Sequence, residues 1–200
     1  MREDTTQYAL LGLLSLGPAT GYELAKTASG SLGHFWSESY GQLYPGLQRL
    51  RRGGLVRVAR TVRSRGPKPA HVWALTAAGK KALAAWLGRP PGQRRHRNEL
   101  LLKLFFGRLA GRDACRQHVV AELEAARRER AVLMGIQERM ARDHAGHPDQ
   151  PYWSITLAFG LSFDAARIAW GEETLHRLDR MARRKPGRGR ARARAAAGSE

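Results

Sequence analysis

Between residues 49 and 97 the chain has no aspartate and no glutamate, yet it carries fourteen lysines and arginines there. Other absences narrow the class further. Cys115 is the one cysteine of the 200 residues, so no internal disulfide can form, which fits a reducing compartment. No run of about eighteen apolar residues occurs, which argues against a membrane-spanning helix. The opening residues MREDTTQ lack the basic-then-apolar order of a secretory leader. Hydrophobic residues still make up 42% of the chain. That is enough for a core and sets aside a wholly disordered basic protein. The length suits one or two small domains. We therefore expect a soluble cytoplasmic protein with a polyanionic partner.

The net charge of +18 is unevenly spread. Residues 1–48 hold two basic and four acidic groups, and residues 98–182 hold twelve of each. Residues 183–200 hold seven basic groups and one acidic. Codon usage that favours Arg, Ala and Gly raises arginine everywhere. It does not remove every carboxylate from 49 consecutive residues. The clustering reads as an anion-binding segment.

Along the chain, QYALLGLLSL (7–16) is a compact apolar helix that Gly17-Pro18 ends. Thr20 is placed to cap a second helix from Gly21 to Ala28. Ser37 or Ser39 is placed to cap a third, which runs to about Arg52. Its apolar residues Leu43, Leu47 and Leu50 fall at i, i+4, i+7, and Gly53-Gly54 stops it. LVRVARTV (55–62) and AHVWAL (70–75) read as two strands of a hairpin with a basic tip, RSRGPKP. Thr76 caps a fourth helix to Leu87, and GRPPGQRRHR is a linker. Beyond it the chain is helical. Asn98 caps ELLLKLFFGRL, and Asp113 caps a long helix to about Asp143. Its seam is Val119, Leu123, Ala126, Arg130, Leu133, Gln137 and Met140. A last helix from about Tyr152 to Arg183 is apolar on two faces. Leu157, Leu161, Ile168, Leu175 and Leu178 lie on one. Phe159, Phe163, Ala166 and Trp170 lie on the other. Two apolar faces need two packing partners, which a homodimer supplies. The tail from residue 184 is a low-complexity basic segment read as disordered.

Signals for catalysis are poor. His144 and His147 sit in a loop read as a polar turn rather than a metal site. Cys115 reads as a small semi-buried residue. No phosphate-binding glycine loop has the strand and helix it needs. We expect no enzyme activity, cofactor or metal.

Three helices, a hairpin and a helix is the order of a winged helix-turn-helix. The third helix then enters the major groove of double-stranded DNA. Ser39, Tyr40 and Gln42 are placed to reach bases there, and Tyr44 to reach a base or a phosphate. Arg49 lies toward the helix end. Arg63, Arg65 and Lys68 on the wing tip reach phosphates or the minor groove. The segments YALLGLLSLGPATGYEL, SYGQLYPGLQRLRRGGLV and LTAAG carry a closer likeness, and NELLLKLFFGRL and Trp170 extend it. Over roughly residues 7–181 the chain resembles the PadR-like transcriptional regulators. The resemblance implies a dimeric winged-helix regulator, usually a repressor, often released by phenolic or other small aromatic compounds. It puts Ser39, Tyr40, Gln42, Tyr44 and Arg49 on the recognition helix and Arg63, Arg65 and Lys68 on the wing. Pro69, Ala70 and His71 depart from the basic pair common after the wing prolines. Trp73 replaces the usual tyrosine. Upstream arginines then supply the wing's charge.

The expected architecture is mainly α. Residues 1–88 form a winged helix-turn-helix domain, 89–97 a linker, 98–183 a helical dimerisation and effector domain, and 184–200 the tail. Tyr152, Trp153, Phe159, Phe163 and Trp170 are candidates to line a pocket for an aromatic effector. The rival reading is an architectural nucleic-acid binder driven by charge alone. Deleting residues 184–200 should weaken DNA binding and lower its salt slope by about 0.9 for each phosphate that the tail neutralises. The preferred site should stay the same in a site-selection assay; a changed site would show that the tail reads sequence.

Overall fold

A computed structural model describes residues 5–32, 40–63, 69–92 and 98–183. The chain divides into two compact units, Met1–Arg94 and Arg95–Glu200. No described helix is long and apolar enough to cross a membrane.

The first unit opens with α1, Thr5–Ser15. Its leucines Leu10, Leu11, Leu13 and Leu14 are buried. A two-residue strand, β1 at Ala19–Thr20, precedes α2 at Gly21–Thr27. Thr20 caps α2 in a reciprocal box. Its hydroxyl accepts from the Glu23 amide at 3.2 Å, and its own amide donates to the Glu23 carboxylate at 2.7 Å. The Thr20 amide, and then its hydroxyl at 2.8 Å, both donate to the Glu23 carboxylate and hold it below the usual range, with Arg60 adding to the effect. A π-helical turn, Ala28–Leu32, extends α2. The third helix, α3, spans Tyr40–Arg52. Leu43, Leu47 and Leu50 are buried against the core as their spacing predicts, together with residues of α1.

Strands β2 (Val56–Val62) and β3 (Ala70–Leu75) form the expected hairpin, and β1 adds itself to the other edge of β3. That third strand was not foreseen. Two residues are too few for an alternating pattern to show. Helix α4, Ala77–Leu87, closes the unit, and Tyr8 stacks on Trp86 at 4.6 Å.

Thr76 joins three elements. Its hydroxyl donates to the Gly54 carbonyl at 2.8 Å, with the Leu55 carbonyl 3.0 Å away, and accepts from the Gly79 amide at 3.0 Å. Gly79 packs directly on the Leu55 carbonyl, where a β-carbon would overlap that oxygen. The glycine of LTAAG is therefore a close-approach residue.

The second unit begins with α5, Glu99–Phe105, capped by Asn98, whose side chain accepts from the Leu101 amide at 3.0 Å. The expected single helix breaks at Phe106, and Gly107–Ala110 forms a separate short helix, α6. Gly107 sits on the Cys115 sulfur, leaving no room for a side chain. Helix α7 is Arg112–Asp143 and α8 is Gln150–Arg183. Asp113 does not cap α7. Gly111, with φ of +86°, takes the cap position, and the Asp113 carboxylate accepts from Arg112 at 2.7 Å instead. Positive φ favours glycine over aspartate at that point.

Helices α7 and α8 pack as a hairpin. Val119, Leu123, Ala126 and Leu133 of the seam are buried, whereas Arg130 and Gln137 face solvent. Leu133 and Leu123 lie over Gly160 and Gly171 of α8. Arg167 reaches back to Glu122 at 2.8 Å, to Glu129, and to Asp164 at 2.8 Å. Partial burial pulls the guanidinium toward its neutral form, but the hydrogen bonds to Glu122, Glu129 and Asp164 outweigh it and hold its pKa above the ordinary value.

Gly79→Ala should destabilise the first unit by about 1–3 kcal/mol, because the clash is with backbone rather than with a movable side chain. The check is a urea midpoint; an unchanged midpoint would show that α4 moves freely off the Leu55 carbonyl.

Candidate nucleic-acid interface

The buried stripe of α3 leaves a polar surface outside it. Gln42 and Gln48 are exposed, and Tyr44 is 59% exposed despite its place beside Leu43. Arg51 and Arg52 are exposed at the C-terminal end, where cations suit the helix dipole. Arg49 is half-buried. Tyr40 opens the helix. Ser39 lies outside the described residues.

In the wing, Val58 pairs with Trp73 but Arg60 pairs with Val72, so the register slips by one residue at Ala59. A bulge of this kind changes which face the following side chains take. Arg57 and Arg60, three residues apart, therefore share the sheet face away from Trp73. Thr61 and His71 form a pair on the other face, 3.2 Å apart, with His71 edge-on to Trp73. Arg63 is exposed immediately after β2. Arg65 and Lys68 lie outside the described residues.

The two units treat their charges differently. Glu23 is the only carboxylate among the described residues of the first unit, and it is engaged by Thr20. Among the described residues, Arg51, Arg52, Arg57 and Arg63 have no ion-pair partner, and Arg60 makes no salt bridge although it lies close enough to Glu23 to lower that carboxyl's pKa. In the second unit Arg116 pairs with Asp179, Arg127 with Glu172 and Arg177 with Glu173. Cations that are already paired gain little from a polyanion, whereas unpaired ones exchange their counterions for phosphate.

Comparison with known proteins agrees with this layout. Residues 10–85 match the transcriptional regulator PadR-like family, and residues 96–179 match the virulence activator alpha C-terminal family. The negative transcriptional regulator PadR of Bacillus subtilis is 27% identical over 180 residues, covering 87% of this chain and 97% of PadR. The crystal structure of that PadR with operator DNA superposes with a TM-score of 0.75 at 27% identity, over 87% of this chain and 99% of the other. Its structure with p-coumaric acid gives 0.68 at 28% identity, over 86% and 98%. The Vibrio cholerae virulence activator AphA gives 0.69 at 28% identity, over 88% and 98%. Residues 10–85 are thus a PadR-like domain, and the chain resembles the PadR-like family of transcriptional regulators along most of its length. That family comprises DNA-binding regulators rather than enzymes.

In this PadR-like chain the five aromatic residues of the candidate effector site do not converge. Tyr152 and Phe159 are 70% and 60% exposed on α8. Phe159 and Phe163 stack in parallel at 6.3 Å, and Arg167 lies 5.7 Å from the Phe163 ring. Trp170 is also on the outward side. Trp153 instead serves the α7–α8 turn. His147 stacks on it at 4.7 Å and His144 meets it edge-on at 5.6 Å. The two histidines are thus turn-packing residues, and no group of three metal-ligating side chains occurs among the described residues. A pocket of about 390 Å³ lies elsewhere, lined by Leu102, Phe106, Leu109, Ala110 and Cys115, with Lys103 and His118. Sequence reasoning missed it because it depends on the break between α5 and α6.

Proposed function

We propose that the chain is a sequence-specific repressor that binds a pseudo-palindromic operator as a homodimer and is released by a small aromatic or phenolic effector. The observation that carries the DNA reading is the unpaired cationic surface of α3 and the wing beside exposed Gln42 and Tyr44. The likeness to a PadR solved with operator DNA supports it. The domain scheme is a winged helix-turn-helix over 1–88, a linker over 89–97, a dimerisation and effector domain over 98–183 and a basic tail. Ser39, Tyr40, Gln42 and Arg49 act on the recognition helix, and Arg63, Arg65 and Lys68 on the wing. A regulator of this kind works in the cytoplasm and on the nucleoid when bound to DNA.

Repression is favoured by the negative regulator PadR, which matches over nearly its full length. Dimerisation is favoured by the outward apolar side of α8, where Tyr152, Ile155, Phe159 and Phe163 are all more than half exposed. An apolar stripe of that size marks an interaction site. A phenolic effector is favoured by the PadR complex with p-coumaric acid. A second reading, a charge-driven architectural binder, draws on the same unpaired arginines.

Selection of binding sites from random DNA separates the two, since an architectural binder enriches no palindrome. Gln42→Ala should relax base preference at one position per half-site, at a cost of about 1–3 kcal/mol in discrimination. Arg63→Ala should weaken binding to all sequences alike and lower the salt slope by about 1. An intact motif and affinity in Gln42→Ala would show that α3 does not read bases. Phe159→Glu should shift the sedimenting species from dimer to monomer. p-Coumaric acid and related phenols should raise the apparent Kd for the selected site; no change across the panel would exclude a phenolic effector.

A further inference from the structure

Tyr44 lies on α3, yet its ring rests on α2. At Gly21 a β-carbon would lie 2.8 Å from Cε1 and Cζ of the Tyr44 ring and 2.9 Å from its hydroxyl oxygen. Gly21 is buried, Tyr44 is 59% exposed, and Tyr22 is 74% exposed. One side of the ring end is therefore held against the start of α2 while the rest meets solvent. A second fact concerns direction. At roughly 100° per residue, Gln42 and Tyr44 point about 160° apart around α3. Leu43, Leu47 and Leu50 occupy the arc between them on the core side. Two side chains on opposite flanks of one helix do not address the same edge of a groove. With its hydroxyl held on the α2 flank, Tyr44 is not aimed along the flank that Gln42 takes.

We propose that Tyr44 donates its phenol hydrogen to a backbone phosphate of the DNA, and that Gly21 is the positioning residue that seats the Tyr44 ring. The inference rests on the DNA-binding reading above. It assigns one class of ligand atom, the non-bridging phosphate oxygen, to a residue whose sequence allowed base or phosphate. A phenol hydroxyl supplies one hydrogen bond and no charge. Contact with phosphate fixes register on the duplex without reading sequence. Losing a neutral donor also releases no counterion, so its signature differs from that of an arginine.

The test uses the full chain and two labelled duplexes, the selected operator and an unrelated sequence, titrated by fluorescence anisotropy at several salt concentrations. Tyr44→Phe keeps the ring and removes the donor. It should weaken binding to both duplexes by about fivefold, leave the salt slope unchanged and leave the selected motif unchanged. Gly21→Ala should give a similar loss, since the new methyl displaces a side-chain ring rather than backbone. Added to Tyr44→Phe, it should cost nothing more. Wild-type affinity in Tyr44→Phe would overturn the proposal, as would a changed motif, which would make Tyr44 a base reader. Wild-type protein that binds neither duplex would overturn the DNA reading itself, so the two failures are distinct.

Discussion

The junction at Thr76 sets the geometry on which the first unit depends. One hydroxyl ties the turn after α3, the start of β2 and the first turn of α4 together. The Thr76 amide adds a bond to the Leu55 carbonyl at 3.1 Å. The bare α-carbon of Gly79 lets α4 approach that same carbonyl. Helix α3 and the β2–β3 hairpin both leave from this point, so these contacts constrain how the two sit relative to each other. A hydroxyl both donates and accepts, which is why threonine can serve all three elements at once.

From that junction the charge pattern acquires meaning. The first unit exposes arginines with few carboxylates to answer them, and its one described carboxylate is spent on capping α2. The second unit uses almost every carboxylate as a partner. Arg167 alone engages Glu122, Glu129 and Asp164, and Asp164 is 4% exposed. Burying a carboxylate without such a partner would cost several kcal/mol, on the order of a whole domain's margin of stability. The same residue types are therefore structural in one unit and available in the other. Pairing, rather than composition, makes the difference.

The second unit also shows how an α-helix becomes two-sided. The small residues Gly160 and Gly171 let α7 leucines pack closely on one side of α8. The bulky Phe159 and Phe163 stand on the other side, stacked on each other in solvent. Small residues bring backbones together, and large exposed aromatics call for another surface. The aromatic residues that looked like a ligand pocket in sequence are spread along this outward side and the turn. The apolar pocket, open to solvent, formed instead where α5 stops and α6 begins.

Much of this was legible from local chemistry. The caps at Thr20, Thr76 and Asn98, the α3 stripe, the hairpin and the two faces of α8 each follow from residues within one or two turns of one another. The total charge and its division along the chain were likewise open to reading, because a count of carboxylates needs no coordinates. What local pattern could not decide were pairings between distant segments. The β1 strand exists only because β3 accepts it. The slip at Ala59 reveals itself only when β2 is laid against β3. Gly111 displaced Asp113 as the α7 cap once the short α6 helix fixed the approach. The seat of Tyr44 on Gly21 joins residues 23 positions apart. Sequence alone determined which segments are helical, which are basic and which faces are apolar, since these depend on neighbours in the chain. Tertiary structure alone decided which arginines of the second unit find a carboxylate and what the Tyr44 ring rests on, since these depend on what folding brings within a few ångströms.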